Sequence, residues 1–521
     1  MSHLLTIADA VAAHARLQPN KLGTRDSRRS LTYAEWDRRA SRLAEALLAQ
    51  GLAAGDRVGI LAYNCVEWME MYVGLARAGL VEVPLNFRLS GPEISYILNN
   101  CEAGALISGV EFVETVDAIR GELPIAGKRY VVLDDAPHEG WIGYEALVAG
   151  AAGQADFPQV APEAMCALMY TSGTTGRPKG AIRNHAGSTL IALATALEMG
   201  FSSEDTGLLV MPLCHANSLY FGTTFIHMGA TIIVDDRRSF DPEGLLATLS
   251  REKVTFTSLV PTHYIMILSL PDDVKARYNM DSVGKLMISS APARKSTKTA
   301  ILEYFRNGKL YELYGSTEAG WVTLLRPHEQ LVKLGSVGRE WAGSGAIRLL
   351  DENGNEVEDG EVGELFSRTS YVFDGYWRNP EKTAEAFRGE WCSVGDMARR
   401  DEDGYIWLVD RKSNMIISGG ENIYPSEVEG VLGAHPQVKD VAVIGIPHDK
   451  WGETVQAVVV LHEGQTGDVA GMTAWCRERL AAFKCPRSIV FISDTDMPRT
   501  ATGKILHRVL RQRIQPLDAA A

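Results

Sequence analysis

Apolar positions along the chain change their spacing repeatedly. Over 1–21 they recur at helical intervals, interrupted by Asp9, His14 and Arg16, which predicts a packed amphipathic helix. No compact apolar core followed by a cleavage site is seen there, so a secretory leader is not expected. From 31 to 109, helix-spaced stretches at 33–50, 65–78 and 92–100 alternate with the short apolar runs 58–62 and 105–108. Short apolar runs between helix-length segments predict strands, and the alternation predicts an α/β layered domain. The pattern returns through 206–235 and 255–260, with a further strand near 285–288.

From about Leu334 the texture shifts to short strands punctuated by Gly, Asp and Glu, such as 346–350 with the turn Asp351-Glu352-Asn353-Gly354, then 363–367. A small β-rich subdomain is expected there. After the apolar run 405–409 comes Asp410-Arg411-Lys412-Ser413, and a fresh alternation begins: a helix at 426–432, strands at 441–446 and 454–461, and a helix at 468–482. The expected boundary separates a large α/β domain over 1–410 from a small α+β domain over 411–521. A chain of 521 residues exceeds one ordinary core, which agrees with such a division.

Composition narrows the classes. Hydrophobic residues make up 46% and charged residues 22%, the profile of a soluble globular protein, and no apolar run reaches the length of a membrane span. A net charge of −13, from 52 basic and 65 acidic side chains, argues against a nucleic-acid partner. Seven cysteines stand singly, without CxxC pairs or metal-ligand spacing, so buried thiols in a reduced cytoplasmic setting are expected.

The segment that carries chemistry is Thr171-Ser172-Gly173-Thr174-Thr175-Gly176-Arg177-Pro178-Lys179-Gly180, placed after the apolar run Met165-Cys166-Ala167-Leu168-Met169-Tyr170. A hydroxyl-rich glycine loop at the end of a buried strand cradles phosphate: the backbone N–H groups approach an anion, hydroxyls add donors, and Lys179 adds charge. It is not a Walker A sequence, because Pro178 stands where the second glycine belongs.

Three further segments follow in order: Tyr311-Glu312-Leu313-Tyr314-Gly315-Ser316-Thr317-Glu318; then Ser393-Val394-Gly395-Asp396 with Asp410-Arg411-Lys412 and Ile417-Ser418-Gly419-Gly420-Glu421-Asn422; and last Pro498-Arg499-Thr500-Ala501-Thr502-Gly503-Lys504. Together with the glycine loop they resemble the signature of the adenylate-forming (AMP-binding) superfamily, which includes acyl-CoA synthetases, nonribosomal-peptide adenylation domains and firefly luciferase. The resemblance covers nearly the whole chain. It implies a large N-terminal domain and a small mobile C-terminal lid that carries a catalytic lysine.

The resemblance also implies roles. Thr171, Ser172, Gly173, Thr174, Thr175, Gly176 and Lys179 would hold the ATP phosphates, with Thr171 and Glu318 on Mg2+. Glu312, Leu313, Tyr314, Gly315, Ser316 and Thr317 would line the adenylate, Tyr314 against adenine and Thr317 on the α-phosphate. Ala291, in Ser290-Ala291-Pro292, falls at a second adenine-side loop but departs from its usual glycine-rich form. Asp396 would accept from the ribose hydroxyls beside Arg411, since a carboxylate offers two acceptor oxygens. Lys504 would stabilise the charge built up between the acid and the α-phosphate. Lys412 and Ser413 correspond to a hinge, and Ser418, Gly419 and Gly420 to the wall of a pantetheine tunnel. His215 falls at the acyl-pocket entrance, as a catalytic or gating group, while His185 is assigned to packing.

An acyl pocket is expected from His215, Asn217, Tyr220, Phe221 and Trp321, mostly apolar and with no basic residue for a second substrate carboxylate. The resemblance thus implies an ATP-dependent acyl-CoA synthetase acting on an apolar monocarboxylic acid, fatty or aromatic, with Mg2+, ATP and CoA. The alternative is a stand-alone adenylating enzyme that loads a separate carrier protein; a luciferase-like oxygenase and a catalytically silent binding protein are less favoured. Candidate partners are a second copy of the chain and a lysine acetyltransferase, because acetylation would remove the charge of Lys504.

Overall fold

The structure is a computed structural model that describes residues 6–171, 178–289, 293–418, 421–448, 451–500 and 503–514. Contacts gather the chain into two compact units, Met1–Ala346 with Ser367–Cys392, and Ile347–Phe366 with Ser393–Ala521.

The first unit holds two large sheets. One runs, in spatial order, Ile142–Gly143, Tyr130–Leu133, Ala103–Gly109, Arg57–Leu61, Val81–Pro84, Met165–Thr171 and Lys179–Asn184. Its pairs are parallel except the last, which is antiparallel, so the glycine loop joins the two arms of an edge hairpin. The other sheet has a parallel centre of Leu22–Arg25, Thr231–Val234, Thr206–Leu209, Phe256–Leu259, Lys285–Ile288 and Lys309–Ser316. Gly320–Leu325 returns antiparallel to Lys309–Ser316, which makes a second hairpin.

Helices cover these sheets for local reasons. Thr32 and Glu35 form a reciprocal capping box that starts Tyr33–Ala49, and Tyr33, Trp36, Ala40, Leu43, Ala44 and Leu47 bury one face of it. Glu67–Ala78 is buried almost all round, even at Glu70, whose carboxylate accepts from Arg39 Nε at 2.9 Å and from the Tyr144 hydroxyl at 2.9 Å. Such a charge tolerates burial because it is paired and hydrogen-bonded.

In the second unit, Arg348–Leu350, Gly363–Phe366, Asp396–Arg400 and Ile406–Arg411 form an antiparallel sheet. The long hairpin of Val438–His448 and Gly452–Leu461 joins Ile416–Ser418, Glu421–Ile423 and Ser488–Phe491 in another. Val428, Leu432, Val443, Val455, Val459 and Met472 fill the core against it.

The expected elements recur with shifted ends. The N-terminal helix is Ile7–Leu17, ending before Pro19 rather than running through 21, and the strand Leu22–Arg25 follows it. The helix expected at 468–482 ends at Arg477, since the chain turns there, with Leu480 N–H on Cys476 O, to bring Ser488–Phe491 parallel to Gly452–Leu461. All seven cysteines are free thiols. Among the described residues no helix is long and apolar enough to cross a membrane.

Candidate active site

The two hairpins of the first unit meet at their ends. Thr171 closes the strand Met165–Thr171, and Glu318 sits in the turn between Lys309–Ser316 and Gly320–Leu325. Thr171 Oγ1 donates to Glu318 Oε1 at 3.1 Å across 147 residues of chain, and the Tyr376 hydroxyl donates to the same oxygen at 2.8 Å. Arg183, 1% exposed, braces the turn from below, its Nη1 3.4 Å from Thr317 O and 3.3 Å from Glu318 O. Lys179, the register partner of Thr171, holds its ammonium 4.0 Å from the centre of the Tyr376 ring. Ser172, Gly173, Thr174, Thr175 and Gly176 lie outside the described residues.

Tyr311–Glu318 runs from a buried strand into this turn. A Cβ added to Gly315 would stand 2.3 Å from Gly320 O, so only glycine lets the hairpin arms close this tightly. Leu313 is buried, while Tyr314, Gly315, Ser316 and Thr317 are half-buried. Glu312 points into the interior and pairs with Lys298; burial pushes its carboxyl up, against the pull of that ammonium. Ala291 is outside the described residues.

The second unit assembles a separate charged cluster. Asp396 and Arg411 face each other in strand register, with Arg411 Nε 3.1 Å from Asp396 Oδ1. Asp410 is fixed beside them: Oδ1 accepts from Arg411 N–H at 2.6 Å and Oδ2 from Ser426 N–H at 2.9 Å. Lys504 joins this group from a tight turn in which its N–H bonds Thr500 Oγ1 at 3.0 Å. Lys504 is an exposed residue, yet the protein packed around its ammonium draws its pKa down, as does the positive charge of Arg411, while Asp396 and Asp410 oppose the shift. Lys412 and Ser413 are exposed in the turn after Arg411, Lys412 Nζ bonding Glu364 Oε2 at 2.9 Å. Ser418 ends Ile416–Ser418 in register with Gly452, and Gly419 and Gly420 are outside the described residues.

Residues 11–377 match the AMP-binding enzyme family, and residues 427–504 match the family of AMP-binding enzyme C-terminal domains. The chain belongs to the AMP-binding enzymes. Over 98% of its length it is 35% identical to an indoleacetate–CoA ligase of Aromatoleum aromaticum, of which it covers 98%. A feruloyl-CoA synthase of an Amycolatopsis species is 38% identical over 96% of the chain and 97% of that protein. Among solved structures, an anthranilate CoA ligase in complex with anthranoyl-AMP is similar at a TM-score of 0.88 and 29% identity, over 100% of this chain and 99% of that one.

In this AMP-binding enzyme, His215 precedes the helix Ala216–Met228. Burial lowers its pKa to about 4, helped by Arg88, and its Nε2 has no hydrogen-bond partner among the described residues. Asn217 Nδ2 donates to Ser289 Oγ at 3.0 Å, and its Oδ1 has no partner among the described residues. Tyr220 meets Trp321 edge to face at 5.2 Å, and Trp321 Nε1 donates to Thr195 Oγ1 at 3.0 Å. Phe221 is fully buried between Trp321 and Phe256. His185 begins the helix His185–Met199, 3% exposed.

Two residues at this site escaped the reading of the sequence. Arg183 carried only the signal of a basic residue directly after the apolar pair Ala181-Ile182. Tyr376 carried only the local run Gly375-Tyr376-Trp377, and it reaches Glu318 because that segment pairs along the edge strand Lys179–Asn184.

Proposed function

We propose that this AMP-binding enzyme is an ATP-dependent acyl-CoA synthetase that activates an apolar monocarboxylic acid and passes its acyl group to CoA. The observation that carries the reading is the junction of Thr171 and Glu318, 3.1 Å apart, at the mouth of the glycine loop. Hard oxygen donors at these two residues fit Mg2+, which when bound with ATP neutralises phosphate charge.

In the first step a carboxylate oxygen of the acid attacks the α-phosphorus of ATP, and the bond to pyrophosphate breaks. Lys179 binds the departing phosphates, and Asp396 accepts from the ribose hydroxyls beside Arg411. The Lys504 ammonium stabilises negative charge that develops between acid and phosphate, a preorganised electrostatic role. In the second step the CoA sulfur attacks the acyl carbon and AMP leaves, with the thiol proton lost to solvent.

The aromatic packing of Tyr220 and Trp321 and the relatives named for indoleacetate, ferulate and anthranilate support an aryl acid over a fatty acid. Chromatography of AMP and acyl-CoA after incubation with Mg·ATP, CoA and a panel of benzoates, cinnamates, indole acids and fatty acids tests this. Thioester should form with one class and fall about a hundredfold to a thousandfold in Lys504→Ala. Pyrophosphate without thioester would make a carrier protein the acceptor, and no pyrophosphate from any acid would sink the reading.

A further inference from the structure

Tyr376 lies outside all the motifs that suggested an ATP site, yet two charged groups of that site converge on it. Its hydroxyl donates to Glu318 Oε1 at 2.8 Å, and its ring lies 4.0 Å from the Lys179 ammonium. The side chain is 6% exposed, and the segment around it is tied down by backbone pairing: Asp374 N–H donates to Ile182 O and Trp377 N–H to Gly180 O.

Thr171 donates to that same oxygen of Glu318. Two hydroxyls on Oε1 hold the carboxylate against rotation about its last bond. Oε2 receives no hydrogen bond among the described residues, so it is the oxygen left for a cation. Hydroxyl bonds to a carboxylate are charge-assisted and short, and an aromatic face attracts an ammonium most strongly where water is scarce. Glu318 and Tyr376 are both buried here, each 6% exposed.

We propose that Tyr376 is a positioning residue: its hydroxyl orients Glu318 for the cation, and its ring seats Lys179 for the nucleotide phosphates. The inference rests on the reading of this site as an ATP site. The two functions reside in different parts of one side chain, so they separate by substitution. Tyr376→Phe keeps the ring and removes the hydroxyl, while Tyr376→Leu removes both.

Calorimetric titration with α,β-methylene-ATP, inert at the bond the reaction breaks, reads binding without turnover. Wild type should bind it more tightly with Mg2+ than without. In Tyr376→Phe that gain should shrink about tenfold, the loss of one hydrogen bond to a charged group, with the Mg2+-free affinity unchanged. In Tyr376→Leu the Mg2+-free affinity should also fall by about threefold or more. Thioester formation from supplied acyl-AMP and CoA, which uses neither cation nor β,γ-phosphates, should fall less than adenylation in both variants.

An undiminished Mg2+ gain in Tyr376→Phe would overturn the proposal. So would a loss of thioester formation in step with a lowered Tm in both variants, which marks a packing role alone. If wild type bound no α,β-methylene-ATP, the ATP-site reading itself would fail and take this role with it.

Discussion

Lys298, on the helix Lys295–Tyr304, and Glu312, on the strand Lys309–Ser316, form an ion pair with 0% and 5% of their side chains exposed. It pins the helix to the strand that leads into the Glu318 turn. The helix follows Ala291, so the pair links two segments that the family resemblance places around adenine.

Removing one partner leaves the other charge buried and uncompensated. Lys298→Met should cost about 3–5 kcal/mol in urea denaturation, whereas Lys298→Met with Glu312→Leu should recover most of that loss. Equal losses in the single and double variants would show that packing volume, not charge, governs this site.

The environment of Lys504 bears on pH. Partial desolvation and the charge of Arg411 lower its pKa, so the neutral amine appears at a lower pH than for an ordinary lysine. The alkaline limb of kcat/KM for pyrophosphate release should therefore lie below the usual lysine value. Lys504→Arg, whose charge persists, should lose most activity but also lose that limb. Persistence of the limb in the arginine variant would assign it to another group.

Four histidines, His185, His215, His227 and His263, have pKa values lowered to about 4 by burial. The unfolded chain binds protons near pH 6.5 that the native state refuses, so the histidine contribution to stability should fall as pH drops from 6.5 and level off below 4. Each histidine contributes up to about 3 kcal/mol to that fall. His263→Phe retains the stack on Phe240, 3.9 Å between ring centres, and should flatten the slope of unfolding free energy against pH. An unchanged slope would mean that His263 accepts its proton inside the fold.

If Asp396 reads the ribose, wild type should bind ATP about tenfold more tightly than 2′-deoxy-ATP or 3′-deoxy-ATP. Asp396→Ala should bind all three equally weakly. Retained discrimination in the variant, measured by competition in pyrophosphate release, would move the ribose contact elsewhere.

Much of the fold was legible because its elements are locally encoded. The helix-spaced run 33–50, whose stripe through Trp36, Leu43 and Leu47 is buried, and the alternation of strand runs with helices appear in the sequence as periodicity. Element ends were less legible where tertiary pairing overrode propensity. Leu22–Arg25 is a strand because it pairs with Thr231–Val234, more than two hundred residues away. The helix after Asp468 stops early because the chain must return to the edge of Gly452–Leu461.

The sequence by itself determined the layered α/β class, the glycine loop, and the order of the motifs that identify an AMP-binding enzyme. These depend on local spacing, which a single chain displays. Only the tertiary structure decided which carboxylate oxygen Thr171 and Tyr376 share, that Arg183 supports the Glu318 turn, and that Lys298 is buried opposite Glu312. Such contacts arise between strands and helices far apart in the chain, where position depends on sheet register and packing, and neither is written in the neighbours of any one residue.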